Sequence, residues 1–221
     1  EVLTTQMFVL RYMRLDPPDP EHESATYVFY RVATIRLDVP MSQQPPVFRT
    51  AFREDHGKDL EAKSNWSMRL HHNATGHVFY LVALHLSSGR PQAPMVFETI
   101  NRLAEEGLPV VAVGDWNNTH KTRDAMQLTV EASDHAALAM SLAHGTTNKM
   151  RVLTVQTHKV GLKDLNAKDL VAFSRAGFAV HNYTRIANGP LQPGEQPPLL
   201  PSQWWASDHC AVIADLDFVL P

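Results

Sequence analysis

Two strongly apolar runs, "GHVFYLVALHL" from Gly76 and "LPVVAVGDWN" from Leu108, frame a segment with helical patterning. That succession constrains the fold more than any other feature of the chain. The first run lies between Gly76 and Ser87-Ser88-Gly89, as expected of a buried central strand. In "QAPMVFETINRLAEEG" the apolar residues recur near helical spacing and stop at Gly107. Upstream, "MFVLRYMRL" and "TYVFYRVATIRLDV" predict strands around the Pro-rich loop "DPPDPEHESA", and "VFRTAFRED" and "WSMRLHH" are further strand candidates. Downstream, "TRDAMQLTVEASDHAALAMSLA" predicts mostly helix, "MRVLTVQT" a strand, "AKDLVAFSRAG" a helix and "FAVHNYTRI" a strand. After the Pro-rich "NGPLQPGEQPPLLPSQ" comes a final strand, "CAVIADLDFVL". Strands outnumber helices, and the helices fall between strands. The pattern predicts an α/β layered sandwich in one domain over residues 1–221.

Composition narrows the function. With 44% apolar and 19% charged residues, the chain can bury the core of one large globular domain. A net charge of −3 lacks the basic excess of a protein that grips nucleic acid through its phosphates alone. The one cysteine, Cys210, has no intrachain partner, and the 12 histidines show no spacing typical of zinc ligands. No apolar run approaches the roughly 18 residues of a membrane span, so the chain reads as soluble, its compartment open but an intracellular one favoured over a secreted one. Sequons at Asn65, Asn73, Asn117 and Asn182 carry little weight on their own.

Polar groups at the ends of buried strands are held by the sheet while facing solvent, where functional groups gather. Three such places stand out: His85 after "FYLVAL", Asp115 and Asn117 after "VVAVG", and Asp208-His209 before "CAVIADL". Each has a plainer explanation. Gly-Asp-x-Asn after a strand is often only a turn, and one strand-end histidine is more often structural. The Ser-Asp-His triplet occurs twice. Asp134-His135 falls within a segment of helical pattern with no strand predicted after it, which gives that pair a structural role.

Taken in order, "ALHLSSGRPQ", "LPVVAVGDWN" and "SDHCAVIADL" resemble the endonuclease/exonuclease/phosphatase superfamily, over roughly residues 78–118 and 202–218. Trp116 stands where that family usually has Phe in Gly-Asp-Phe-Asn. The resemblance implies a four-layer sandwich of two packed mixed β-sheets flanked by helices, with the site at one rim. It implies a phosphoesterase dependent on Mg²⁺ or Mn²⁺, acting on a phosphodiester or phosphomonoester in nucleic acid, a phosphoinositide or a phospholipid. Asp115 would orient or deprotonate the attacking water, and Asn117 would hold phosphoryl oxygens. His85 and His209 would contact the scissile phosphate, Arg90 would bind substrate, and Asp208 would sit beside the metal. An anionic ester demands such a set, because attack on it needs charge neutralisation and a positioned water. Oxygen donors without thiolates suit Mg²⁺ or Mn²⁺ better than zinc.

Two departures stand against that expectation. If Glu1 is the metal-binding glutamate of the family's Gln-Glu-Val, the family's first strand and helix would precede this sequence. A partner chain or a preceding segment would then complete the fold. The second departure concerns the aspartate that pairs with the family's final histidine. "NKMRVLTVQT" aligns with the strand that carries it and puts Leu153 in its place, while Asp164 or Asp169 could substitute from a nearby loop. Leucine cannot orient an imidazole. These departures support an alternative: a catalytically impaired member of the same fold, serving as a structural or interaction subunit of a larger assembly.

Overall fold

The computed structural model describes residues 12–15, 27–44, 66–86, 92–119, 122–150, 163–193, 195–198, 200, 202 and 206–219. Its centre is a six-stranded sheet in the order β3-β4-β5-β6-β10-β7, formed by Ile35–Leu37, Trp66–His72, Val78–His85, Val110–Asp115, Asp169–Ser174 and Ala136–Leu138. β5 and β6 run parallel, with His85 in register with Asp115. Parallel neighbours need a crossover, and helix α1 (Ala93–Glu105) supplies it. Pro94 in its first turn suits a helix start, and Gly107, at φ 76°, follows its end.

Alternation along β5 sends side chains to two cores. Tyr80, Val82 and Leu84 meet Val96, Phe97, Ile100 and Leu103 of α1, with Met126 of α2 (Arg123–Glu131) beside them. Phe79 and Leu81 point the other way, toward two smaller pieces of sheet. One is β1–β2 (Tyr12–Leu15 and Val28–Arg31), which buries Leu15, Val28 and Tyr30 against Trp66, Met68 and Leu70. The other is β12-β11-β13 (Gly189–Leu191, Phe178–Ala187, Ala211–Phe218), which lays Val212, Ala214, Leu216 and Phe218 over Val111, Val113 and Phe173. Burial of such side chains contributes about 1.5–3 kcal/mol each before entropy is charged. The result is a mixed α/β sandwich: helices, the large sheet, then the smaller sheets. The described residues place no helix on the outer face of the smaller sheets. A short antiparallel pair, β8–β9 (Thr147–Met150 and Lys163–Asn166), stands apart. Among the described residues no helix is long and apolar enough to cross a membrane.

Four segments differ from their sequence patterns. "TYVFYRVATIRLDV" is split by a turn at 32–34 into β2 and β3, which join different sheets. Gly189–Leu191 of the expected Pro-rich loop form β12, and two further segments change type. "AKDLVAFSRAG" forms no helix; it is strand β10 followed by a turn. Leu170, Val171, Ala172 and Phe173 are all buried because β10 lies between β6 and β7 and is covered on both faces. A strand so placed loses its polar alternation and looks like a buried helix. In "TRDAMQLTVEASDHAALAMSLA" the helix ends at Glu131, and Ala136–Leu138 become the edge strand β7. Ser133 makes that break, accepting the Ala136 amide at 2.9 Å and donating to Asn101 at 2.7 Å. A strand therefore does follow Asp134-His135. Of the other expected strands, "VFRTAFRED", most of "MFVLRYMRL" and most of "MRVLTVQT", Leu153 included, lie outside the described residues.

Candidate active site

The ends of four elements converge at one rim of the large sheet. β5 and β6, parallel and in register, deliver His85 beside Asp115. β10 runs antiparallel to β6 and starts at the same level, so Asp169 pairs with Asp115 across the ladder. Asp208 and His209 lead into β13, and a bridge between Thr147 and His209 ties them to the start of β8.

The turn after β6 is built by its own residues. Gly114 has φ 139°, and a Cβ there would lie 2.0 Å from the Leu84 carbonyl oxygen, so only glycine allows β6 to approach β5 at this point. Asp115 accepts the Asn117 amide on Oδ1 at 2.7 Å, an Asx turn that leaves Oδ2 directed toward His85. Asn117 takes the left-handed conformation at φ 46°, and its side-chain amide donates to the Leu86 carbonyl at 2.7 Å. Trp116, buried against Phe97, donates its backbone amide to Lys168 O at 2.7 Å and its indole N–H to Leu170 O at 3.1 Å. The site turn is thereby fastened to β5 on one side and to β10 on the other.

The electrostatics follow from that crowding. His85 Nε2 lies 3.9 Å from Asp115 Oδ2, within reach of charge but beyond a hydrogen bond. Burial raises the pKa of Asp115 above the ordinary aspartate value, and the neighbouring charge of Asp169 adds to the rise. The Asn117 amide, His209 and His85 act the other way. His209 Nδ1 is 2.8 Å from Oδ2 and 3.0 Å from Oδ1 of Asp169. A carboxylate only accepts, so this contact places the proton on Nδ1 and turns Nε2 outward as an acceptor. Nε2 is 3.9 Å from Asp208 Oδ1. Cys210, next in the chain, is buried and its thiol is pushed up to about 11, first of all by burial, which makes it a poor nucleophile.

His85, Asp115, Asp208 and His209 thus come together, with Asn117 one step away and directed at the β5 backbone. Glu1 and Arg90 lie outside the described residues. Asp169 is the correction: His209 has an aspartate against it, and that residue is the first of a central strand, not part of a loop. The signal was present in "KDLVAF", a carboxylate opening an apolar run much as Asp208 precedes "CAVIADL". The helical pattern given to that run hid it. Asp134-His135 lies away from the rim, with His135 Nε2 3.7 Å from Glu105 at the surface.

Comparison with protein-family models and with curated proteins finds no match to this sequence. Solved structures do match in three dimensions. The D. rerio TDP2 complexed with a single-strand DNA product aligns with a TM-score of 0.59 at 13% identity, over 98% of this chain and 81% of that one. The human Nocturnin catalytic domain with bound sulfate gives 0.57 at 13% identity, over 99% and 77%. An endonuclease/exonuclease/phosphatase from Bacteroides vulgatus gives 0.56 at 17% identity, over 96% and 78%. The chain has the endonuclease/exonuclease/phosphatase fold. Asp115, Asp169 and His209 lie together at one rim of the large sheet, each partly exposed. One donor atom from each of these three residues lies within 4.8 Å of the others, a concentration of negative charge that suits a cation or a proton donor.

Proposed function

We propose that the chain is a metal-dependent phosphoesterase that hydrolyses a phosphodiester or phosphomonoester at this rim. The observation that carries this reading is the His209–Asp169 pair standing beside Asp115 and His85. Asp115 holds a water through Oδ2, and its raised pKa makes it a better proton acceptor than an ordinary carboxylate. His209, its tautomer fixed by Asp169, presents Nε2 to the phosphoryl group, and Asp169 stabilises the imidazolium when Nε2 gains a proton. His85 faces the same space from the end of β5, and Asn117 braces the turn that aims Asp115.

Asp169 is engaged by His209 and by Thr146, so the hard oxygen donors suited to a divalent cation are those of Asp208, with Glu1 as the further ligand that the resemblance implies. The donor set fits Mg²⁺ or Mn²⁺, which when bound would neutralise charge on the ester. The fold is shared with TDP2, whose structure holds a DNA product, and this supports phosphate esters as the substrate class. Nucleic acid, phosphoinositide and phospholipid remain the three sources of that ester. The contact of His209 with Asp169 supports this reading over the impaired-enzyme alternative, which keeps the N-terminal departure in its favour.

The test is hydrolysis of bis- and mono-nitrophenyl phosphate with Mg²⁺, Mn²⁺ or EDTA, alongside Asp115→Ala. The proposal expects metal-dependent turnover that the substitution abolishes. Turnover that is absent, or unchanged in the variant, would sink it. Preference for the diester would point to a nuclease or phosphodiesterase.

A further inference from the structure

Thr146 is fully buried, and its hydroxyl and its carbonyl are directed at the segments that carry the histidine–aspartate pair. Its Oγ1 accepts the backbone amides of Lys168 and Asp169, both at 3.0 Å. Amide N–H groups can only donate, so both acceptor positions of the hydroxyl are filled and its single proton has one place to go. That place is Asp169 Oδ2, at 2.8 Å. The same oxygen lies 2.8 Å from His209 Nδ1. The main chain of Thr146 reaches the other partner. Its carbonyl accepts the Cys210 amide at 2.7 Å, directly after His209, and its amide donates to Asn166 O at 2.8 Å.

We propose that Thr146 is the positioning residue of the site: it locks the Asp169 carboxylate in plane while its backbone holds the strand that brings His209. The inference rests on the phosphoesterase reading for its consequence, but its geometry stands without it. A carboxylate that lost the hydroxyl could rotate about its last torsion, and Nδ1–H would no longer be its fixed partner. The main-chain bonds of residue 146 would still hold the strand ends, but the carboxylate between them would no longer be fixed. Thr146 needs no contact with substrate to matter. Residues that orient a catalytic group in this way commonly change activity by about 10–100-fold when altered.

The experiment is ¹⁵N NMR of the histidine rings in the intact chain, with Thr146→Val, Thr146→Ser and Asp169→Asn, together with kcat and KM on a nitrophenyl phosphate. Wild type and Thr146→Ser should show His209 protonated on Nδ1. Thr146→Val should show a mixed tautomer, and Asp169→Asn should lose the Nδ1–H state. Thr146→Val should lower kcat by about 10–100-fold with KM nearly unchanged, and serine should restore it to within about threefold. A Thr146→Val protein that keeps the Nδ1–H tautomer overturns the proposal. Should the valine variant not fold, Thr146→Ser and Thr146→Ala carry the test: serine must keep the Nδ1–H signal and alanine must lose it, and equal spectra overturn the idea. If the tautomer follows Thr146 while wild type hydrolyses no phosphate ester, the positioning role stands and the phosphoesterase reading falls.

Discussion

His209 Nδ1 sits 2.8 Å from Oδ2 of Asp169, a residue 40 positions earlier in the chain. The two are brought together by different layers of the sandwich. Asp169 opens a central strand of the large sheet, and His209 leads into a strand of the facing sheet. The pair therefore exists only when the sheets pack.

Replacing Asp169 with Asn should leave the shape intact and remove the charge that fixes the imidazole. By analogy with other histidine–aspartate couples, kcat should fall by about three to four orders of magnitude. Leu153→Ala, at the position first aligned with the paired aspartate, should change kcat less than about threefold. Steady-state kinetics on both variants decides between the two positions. A large loss at Leu153 with little at Asp169 would return the orienting role to the earlier segment.

Asp115→Asn should abolish hydrolysis and stabilise the fold. The pKa of Asp115 is raised, first by burial and then by Asp169, so the folded state holds this proton more tightly than the unfolded chain. The resulting stability is fully present below the unfolded pKa and is lost as pH rises through the folded one. At neutral pH the ionised group is therefore a net cost, which a neutral isostere removes. Active-site exchanges of this kind typically raise stability by about 0.5–2 kcal/mol. Thermal melts of both proteins between about pH 4 and about pH 8 should diverge as pH rises. Parallel curves would show that the carboxylate is not strained by its surroundings.

The parts of this fold that were legible in the sequence are those where a local pattern and its environment agree. β5, α1 and β6 combine apolar runs or helical spacing with Gly and Pro punctuation, and the Gly-Asp turn ends a strand whose sides are both covered. The strand β10 failed that test because a strand buried on both faces carries no period of its own. Misplacing β10 also misplaced Asp169. Thr146 could not be singled out at all, since its importance comes from three partners at residues 168, 169 and 210 that no spacing links. What sequence conveys poorly is the meeting of chain ends across two sheets.

Bound Mg²⁺ should stabilise the protein as well as activate it, because a ligand that binds only the folded state shifts the unfolding equilibrium. At about 100 times its dissociation constant the gain is about 2.7 kcal/mol. For a chain of this size that amounts to roughly 5–10 °C in Tm. Asp208→Asn should flatten the dependence, and EDTA should reverse the shift in wild type. Melts that are indifferent to Mg²⁺ and Mn²⁺ would count against a cation at the rim.

Gly114→Ala should be far more damaging than its size suggests. The new Cβ would lie 2.0 Å from the Leu84 carbonyl oxygen, an atom of the neighbouring strand that cannot swing aside as a side chain could. The backbone at φ 139° is also one that alanine rarely adopts. Local strain of about 1–3 kcal/mol adds to an overpacking cost of about 1–3 kcal/mol, so a loss of roughly 2–6 kcal/mol is expected. Gly76→Ala is the matched control, since Gly76 has φ 76° but nothing within 4 Å of the position a Cβ would take. It should lose only about 1–2 kcal/mol from its left-handed backbone. Urea denaturation of the two variants gives the comparison. Equal losses would mean that β5 and β6 can separate at Leu84, and the placement of Asp115 beside His85 would then need another cause. The expected inequality would show that the glycine before Asp115 is fixed by the spacing of two parallel strands, which is also what sets the distance between the carboxylate and the imidazole at the rim.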